Sequence, residues 1–171
     1  APKDVVWSYS GVRPLYDDNA ANPSAVTRDY VFDVDGEPPL LSVFGGKITT
    51  YRKLAEHALQ KLKPYFPDMS ADWTSASALP GGDIPDGDFD AFLLRFRRQH
   101  PWLPEDLAHH FVRLYGSRAT GLVGSSRALR DLGQHFGGLL YAAEIDYLRQ
   151  NEWAETASDV LDRRTKHGLH L

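Results

Sequence analysis

The sequence predicts an α+β chain: a short β-rich and helical end of a larger α/β domain, followed by an all-α domain. Three observations lead there. Strand-like runs crowd into the first fifty residues. Only helical periodicity follows residue 88. A stretch rich in proline and glycine lies between the two regions.

The strands come first. Residues 5–10, VVWSYS, form a β-rich run. In DYVFDV, residues 29–34, Tyr30, Phe32 and Val34 fall on one side, and Asp35-Gly36 then signals a turn. PLLSVF, residues 39–44, is almost continuously apolar, the mark of a strand buried on both faces. A helix is predicted from about residue 49 to 63. Ile48, Tyr51, Leu54, Ala55, Ala58, Leu59 and Leu62 recur at helical spacing, Thr49 is placed to cap it, and Pro64 stops it. Three strands and one helix cover too little surface for a core of their own. Residues 1–66 are therefore expected to end a larger α/β domain whose beginning lies outside this sequence.

Residues 67–87 read as a linker, because about twenty residues without periodicity are unusual inside one compact domain. Residues 88–171 read as helical. Asp88 is placed to cap a helix with Phe89, Phe92, Leu93 and Phe96 inward, and Pro104 opens another with Leu107, Phe111 and Leu114 inward. Short helical pieces broken by Gly121 and Gly124 follow. A helix from about residue 139 carries Leu140, Glu144, Ile145, Tyr147 and Leu148. The last, from about 156 to 164, turns Val160 and Leu161 inward.

Composition narrows the function. The net charge of −4 argues against nucleic-acid binding by bulk charge. The absence of cysteine removes disulfides, thiolate metal sites and thiol nucleophiles, and fits a reducing compartment. No apolar run approaches the ~20 residues of a membrane span, and the first residues have no signal-peptide core.

Few residues are placed to carry chemistry. Gly45-Gly46-Lys47-Ile48-Thr49-Thr50 joins a strand to a helix start. Helix N-termini attract anions, glycines let a ligand reach the backbone, and Lys47 adds a charge. An ordinary turn with a solvated lysine accounts for the same residues. Arg13 precedes Pro14 in YSGVRPL, on a stiffened segment suited to phosphate or carboxylate, or it is a plain surface arginine. Arg28 either adds to an anion pocket or pairs with Asp17, Asp18 or Asp29. The seven histidines show no metal-binding spacing, so no metal site is expected. Asp83, Asp86, Asp88 and Asp90 lack the register of a calcium loop. The closing basic cluster DRRTKHG is suited to neutralising a helix C-terminus, an acidic surface or lipid headgroups.

YSGVRPL, TRDY, LLSVFGGKITTYRKLAEHAL, LPGG and DVLDRRTKHGLHL, in that order, resemble the C-terminal part of FAD-dependent (aerobic, respiratory) glycerol-3-phosphate dehydrogenases. The resemblance covers essentially the whole chain. It implies a remnant of the flavin-binding domain in residues 1–66 and a helical cap domain in 88–171. It also implies oxidation of sn-glycerol 3-phosphate to dihydroxyacetone phosphate, with electrons passing through FAD to quinone. Arg13, Lys47 and Arg28 would contact substrate, and Gly45, Gly46, Lys47, Ile48, Thr49 and Thr50 would line the flavin. The catalytic base stays unassigned. A cytoplasmic enzyme resting peripherally on the membrane, and a possible homo-oligomer, are further implications. The dinucleotide fingerprint is missing from this sequence, so the chain alone is expected neither to hold FAD nor to turn over substrate. Two alternatives stand beside this reading: an oxidase that hands electrons to oxygen, and an autonomous helical interaction module.

Overall fold

The structure is a computed structural model that describes residues 2–5, 7–12, 16 and 29–170. It is mostly helical, with two small antiparallel sheets. The chain divides into two compact units, one of residues 8–77 and one of residues 1–7 with 78–171.

The smaller unit is a β-hairpin followed by a helix. β1 (Val31–Asp35) pairs antiparallel with β2 (Leu40–Phe44), with Val31 opposite Phe44 and Asp35 opposite Leu40. The turn needs Gly36, whose φ is 82°. A single 3-10 turn, Ile48–Thr50, then leads into α1 (Tyr51–Leu62). The helix thus begins slightly later than its apolar spacing predicts, because Thr50 takes a non-helical conformation at its start. None of the described residues of the 5–10 run is in a strand; they are extended or irregular and exposed. β2 is also not covered on both faces. Leu40 is 67% exposed, and Val43 and Phe44 are 44% and 43% exposed. A two-stranded hairpin packed by one helix has no second layer to cover its other face.

The larger unit holds the core. α2 (Phe89–Gln99) is capped by Asp88, whose carboxylate accepts from the Ala91 N–H at 2.9 Å. Phe96 is fully buried, and Phe89, Phe92 and Leu93 pack beside it. α3 (Glu105–Tyr115) buries Leu107, Ala108, Phe111, Val112 and Tyr115. Leu114 proves exposed, since the buried stripe centres between Phe111 and Tyr115 and leaves Leu114 at its edge. α4 (Ala119–Val123) contains Gly121 and ends at Gly124, so only the second glycine breaks it.

The region past residue 88 is not all helical. β3 (His135–Gly137) and β4 (Leu140–Tyr141) form a small hairpin across Gly137 and Gly138, both at positive φ. It displaces the start of α5 (Ala142–Asn151) to residue 142. The segment Asp159–Arg164, followed by the 3-10 turn His167–Leu169, is a π-helix in which the Thr165 N–H reaches back to the Val160 carbonyl at 2.9 Å. Arg164 donates to the Glu152 carbonyl at 2.8 and 3.2 Å, at the C-terminal end of α5. Part of the basic cluster therefore neutralises a helix C-terminus.

The LPGG segment is built into this unit. Ser117 donates its N–H to the Gly81 carbonyl at 3.0 Å. A Cβ on Gly116 would stand 1.9 Å from that same carbonyl oxygen. Only glycine permits this approach, and the φ of 56° at Gly116 excludes other residues a second time.

Candidate functional site

The glycine turn stands at the end of β2. Gly45 and Gly46 have φ of 73° and 109°, so the backbone reverses there without side chains on the turn. A Cβ on Gly46 would meet Leu54 at 3.0 Å, which lets α1 sit close under the turn. Lys47 is extended and exposed; Ile48 and Thr49, inside the 3-10 turn, are exposed as well. Neither Lys47 nor Thr50 caps the following turn with its side chain; the Thr50 hydroxyl instead donates to the Lys47 carbonyl at 3.1 Å. The start of α1 therefore presents backbone donors and the ammonium group of Lys47, which makes no ion pair among the described residues, an arrangement suited to an anion. Of the predicted site residues, Gly45, Gly46, Lys47, Ile48, Thr49 and Thr50 are brought together here. Arg13 and Arg28 lie outside the described residues.

One turn further, α1 carries a buried carboxylate. Glu56 accepts from Arg52 at 2.9 Å, from Lys53 at 3.1 Å and from the Thr74 hydroxyl, and is 3% exposed. The Thr74 hydrogen bond, then Lys53, hold its carboxyl below the ordinary value. On the same helix, His57 Nδ1 meets the Tyr30 hydroxyl at 2.5 Å.

A second polar group is buried in the helical unit. Glu144 of α5 has no exposed surface. Its Oε1 accepts from the Tyr115 hydroxyl at 2.6 Å and lies 2.8 Å from His110 Nε2. His167 stacks obliquely on His110, with ring centroids 5.0 Å apart. Burial, followed by the negative charge of Glu144, pushes the Tyr115 phenol well above its usual range. Burial and the neighbouring His110 lower the pKa of His167. A cavity of about 690 Å³ opens beside His110, lined also by His109, Arg113, Leu139 and Thr165. Spacing in sequence did not mark this group, since His110, Glu144 and His167 come from distant segments. One signal was present: Glu144 stands between Leu140 and Leu148 at four-residue spacing, an acid in an apolar row.

The fold defines a mostly helical unit and a hairpin–helix unit whose glycine turn stands between β2 and α1. The chain belongs to the family of the C-terminal domain of alpha-glycerophosphate oxidase, whose model matches residues 73–170. It is 55% identical to D-erythritol 1-phosphate dehydrogenase of Brucella abortus over 99% of this chain and 34% of that protein. It is 53% identical to aerobic glycerol-3-phosphate dehydrogenase of Escherichia coli over 98% of this chain and 34% of that protein. With alpha-glycerophosphate oxidase of Streptococcus pneumoniae the identity is 31%, over 99% of this chain and 28% of that protein. The chain thus spans about a third of the length of the relatives it matches.

Proposed function

We propose that the chain is the C-terminal part of a flavoenzyme that oxidises sn-glycerol 3-phosphate to dihydroxyacetone phosphate with FAD. The observation that carries this reading is the 53% identity to aerobic glycerol-3-phosphate dehydrogenase across nearly the whole chain. Residues 1–66 would close the flavin-binding domain, residues 67–87 link it, and residues 88–171 form the helical cap. The hairpin's exposed apolar residues Leu40, Val43 and Phe44 are consistent with a sheet that continues in the rest of the enzyme.

The glycine turn fits one edge of a flavin site. Gly45 and Gly46 carry no side chain there, and neither Lys47 nor Thr50 caps the donors beyond them with its side chain. Bound FAD would supply the acceptor for the hydride leaving carbon 2 of the substrate. The turn and the start of α1 would stabilise the negative charge gained on reduction. Lys47, with Arg13 and Arg28, would bind the substrate phosphate and fix its orientation. The remaining flavin contacts would come from the rest of the protein, so the isolated chain neither binds FAD stoichiometrically nor turns over. Electrons would pass to quinone at a membrane surface on the cytoplasmic side, from an enzyme able to self-associate.

The 55% identity to D-erythritol 1-phosphate dehydrogenase favours a second reading, with a four-carbon polyol phosphate as substrate. Both substrates carry one phosphate ester and vicinal hydroxyls, so Lys47 serves either. The test is turnover of the full-length enzyme with each compound and an artificial electron acceptor. A kcat/KM at least about tenfold higher for sn-glycerol 3-phosphate is expected, a preference of the order one carbon unit in a pocket provides. The reverse preference supports the second reading, and turnover of neither compound overturns both.

A further inference from the structure

We propose that His110, Glu144 and His167 form a binding site for a divalent first-row transition ion, Zn2+ foremost, between α3, α5 and the C-terminal segment. One ligand atom from each residue lies within 4.8 Å of the others. Glu144 and His167 are 0% and 8% exposed, and the His110 side chain is 11% exposed.

The hydrogen-bonding pattern points to a missing partner. Glu144 spends only Oε1 on the protein, on Tyr115 and His110. Among the described residues, its Oε2 is buried with no hydrogen-bond partner, and so is Nε2 of His167. A buried carboxylate oxygen and a buried imidazole nitrogen left unmatched are each costly, and such groups in a native fold need an explanation. A simple Glu144–His110 ion pair satisfies neither atom. A cation held between them satisfies both.

The donor set decides the class of ion. Two imidazoles and one carboxylate suit zinc and its neighbours, whereas calcium and magnesium favour all-oxygen shells. Tyr115 would act from outside the ligand shell, orienting the carboxylate through its 2.6 Å hydrogen bond. The cavity lined by His110 and Thr165 brings solvent to one of the three ligands, His110. Because His167 begins the final turn, His167–Leu169, the ion would tie the end of the chain to α3 and α5. The inference is independent of the flavin reading, since all three residues lie in the helical unit.

The full chain, stripped of metal with a chelator, is titrated with Co2+ and then with Zn2+. A single equivalent of Co2+ should give visible d–d absorption that Zn2+ displaces, and Zn2+ should shift the imidazole proton signals of His110 and His167. His167→Asn and Glu144→Gln should each weaken binding by at least about 100-fold, more than the loss of an outer partner costs, and Tyr115→Phe by about 10- to 100-fold. Absence of binding overturns the proposal. So does undiminished binding in a folded His167→Asn variant, or proton shifts confined to other histidines. Should a variant fail to fold, the histidine shifts of the unmodified chain decide alone.

Discussion

The Tyr115 hydroxyl donates a 2.6 Å hydrogen bond to Oε1 of Glu144, a carboxylate with no contact with solvent. Two helices far apart in sequence, α3 and α5, are joined through this contact. Tyr115→Phe keeps the ring and removes only the donor, leaving Oε1 to His110. The variant should lose about 1–3 kcal/mol of stability, the cost of an under-satisfied buried acceptor. Urea unfolding checks it, and an unchanged midpoint would show that the hydroxyl is dispensable.

Gly116 and Gly121 provide a paired test of backbone fit. At Gly116 a methyl group would run into the Gly81 carbonyl at positive φ, so Gly116→Ala should destabilise by well over about 1 kcal/mol. At Gly121, inside α4, a Cβ meets nothing within 4 Å. Gly121→Ala should therefore stabilise by roughly 0.5–1 kcal/mol. Thermal melts of the two variants should move in opposite directions.

Asp159 sets an acid limit on the C-terminal segment. Its carboxylate accepts from the Thr156 N–H at 2.9 Å, the Thr156 hydroxyl at 2.8 Å and the Glu155 N–H at 3.1 Å. These bonds, those of Thr156 foremost, lower its pKa to about 2. A carboxyl depressed in the fold adds stability above its unfolded pKa and loses it as pH falls through the folded value. Asp159→Asn should melt below the parent chain at neutral pH. The gap should close as the pH is lowered towards about 2. A gap that stays constant with pH would assign the effect to shape and not to charge.

Lys47 is exposed beside the glycine turn and makes no ion pair among the described residues. If it meets the substrate phosphate, Lys47→Met in the full-length enzyme should raise KM by roughly 10- to 100-fold. That corresponds to about 1.5–3 kcal/mol for a charge-assisted hydrogen bond. Steady-state kinetics with sn-glycerol 3-phosphate provide the check, and an unaltered kcat/KM would remove Lys47 from the site.

The sequence made local elements legible where one face is apolar and a cap is polar. Asp88 with Phe89, Phe92 and Phe96 marked α2, and Leu107 with Phe111 marked α3. The glycine turn before Lys47 was also legible, because two adjacent glycines between a strand and a helix constrain the backbone directly. What escaped depends on contacts between distant residues. The β3–β4 hairpin is too short for its periodicity to stand out, and only Gly137-Gly138 hinted at it. The exposure of β2 follows from how many layers cover it, which an apolar run does not encode. The Tyr115–Glu144–His110–His167 group assembles across three segments, so spacing along any one of them showed no more than the acid Glu144 in its apolar row.

The central claim, that this chain completes a polyol-phosphate flavoenzyme, is tested most directly by anaerobic flavin reduction in the full-length protein. The oxidised enzyme is mixed with sn-glycerol 3-phosphate without oxygen or another acceptor, and the visible flavin absorption is followed. The account predicts bleaching of the bound flavin with formation of dihydroxyacetone phosphate in equal amount. A flavin that stays oxidised with both sn-glycerol 3-phosphate and D-erythritol 1-phosphate, or a full-length protein that binds no flavin, would contradict it.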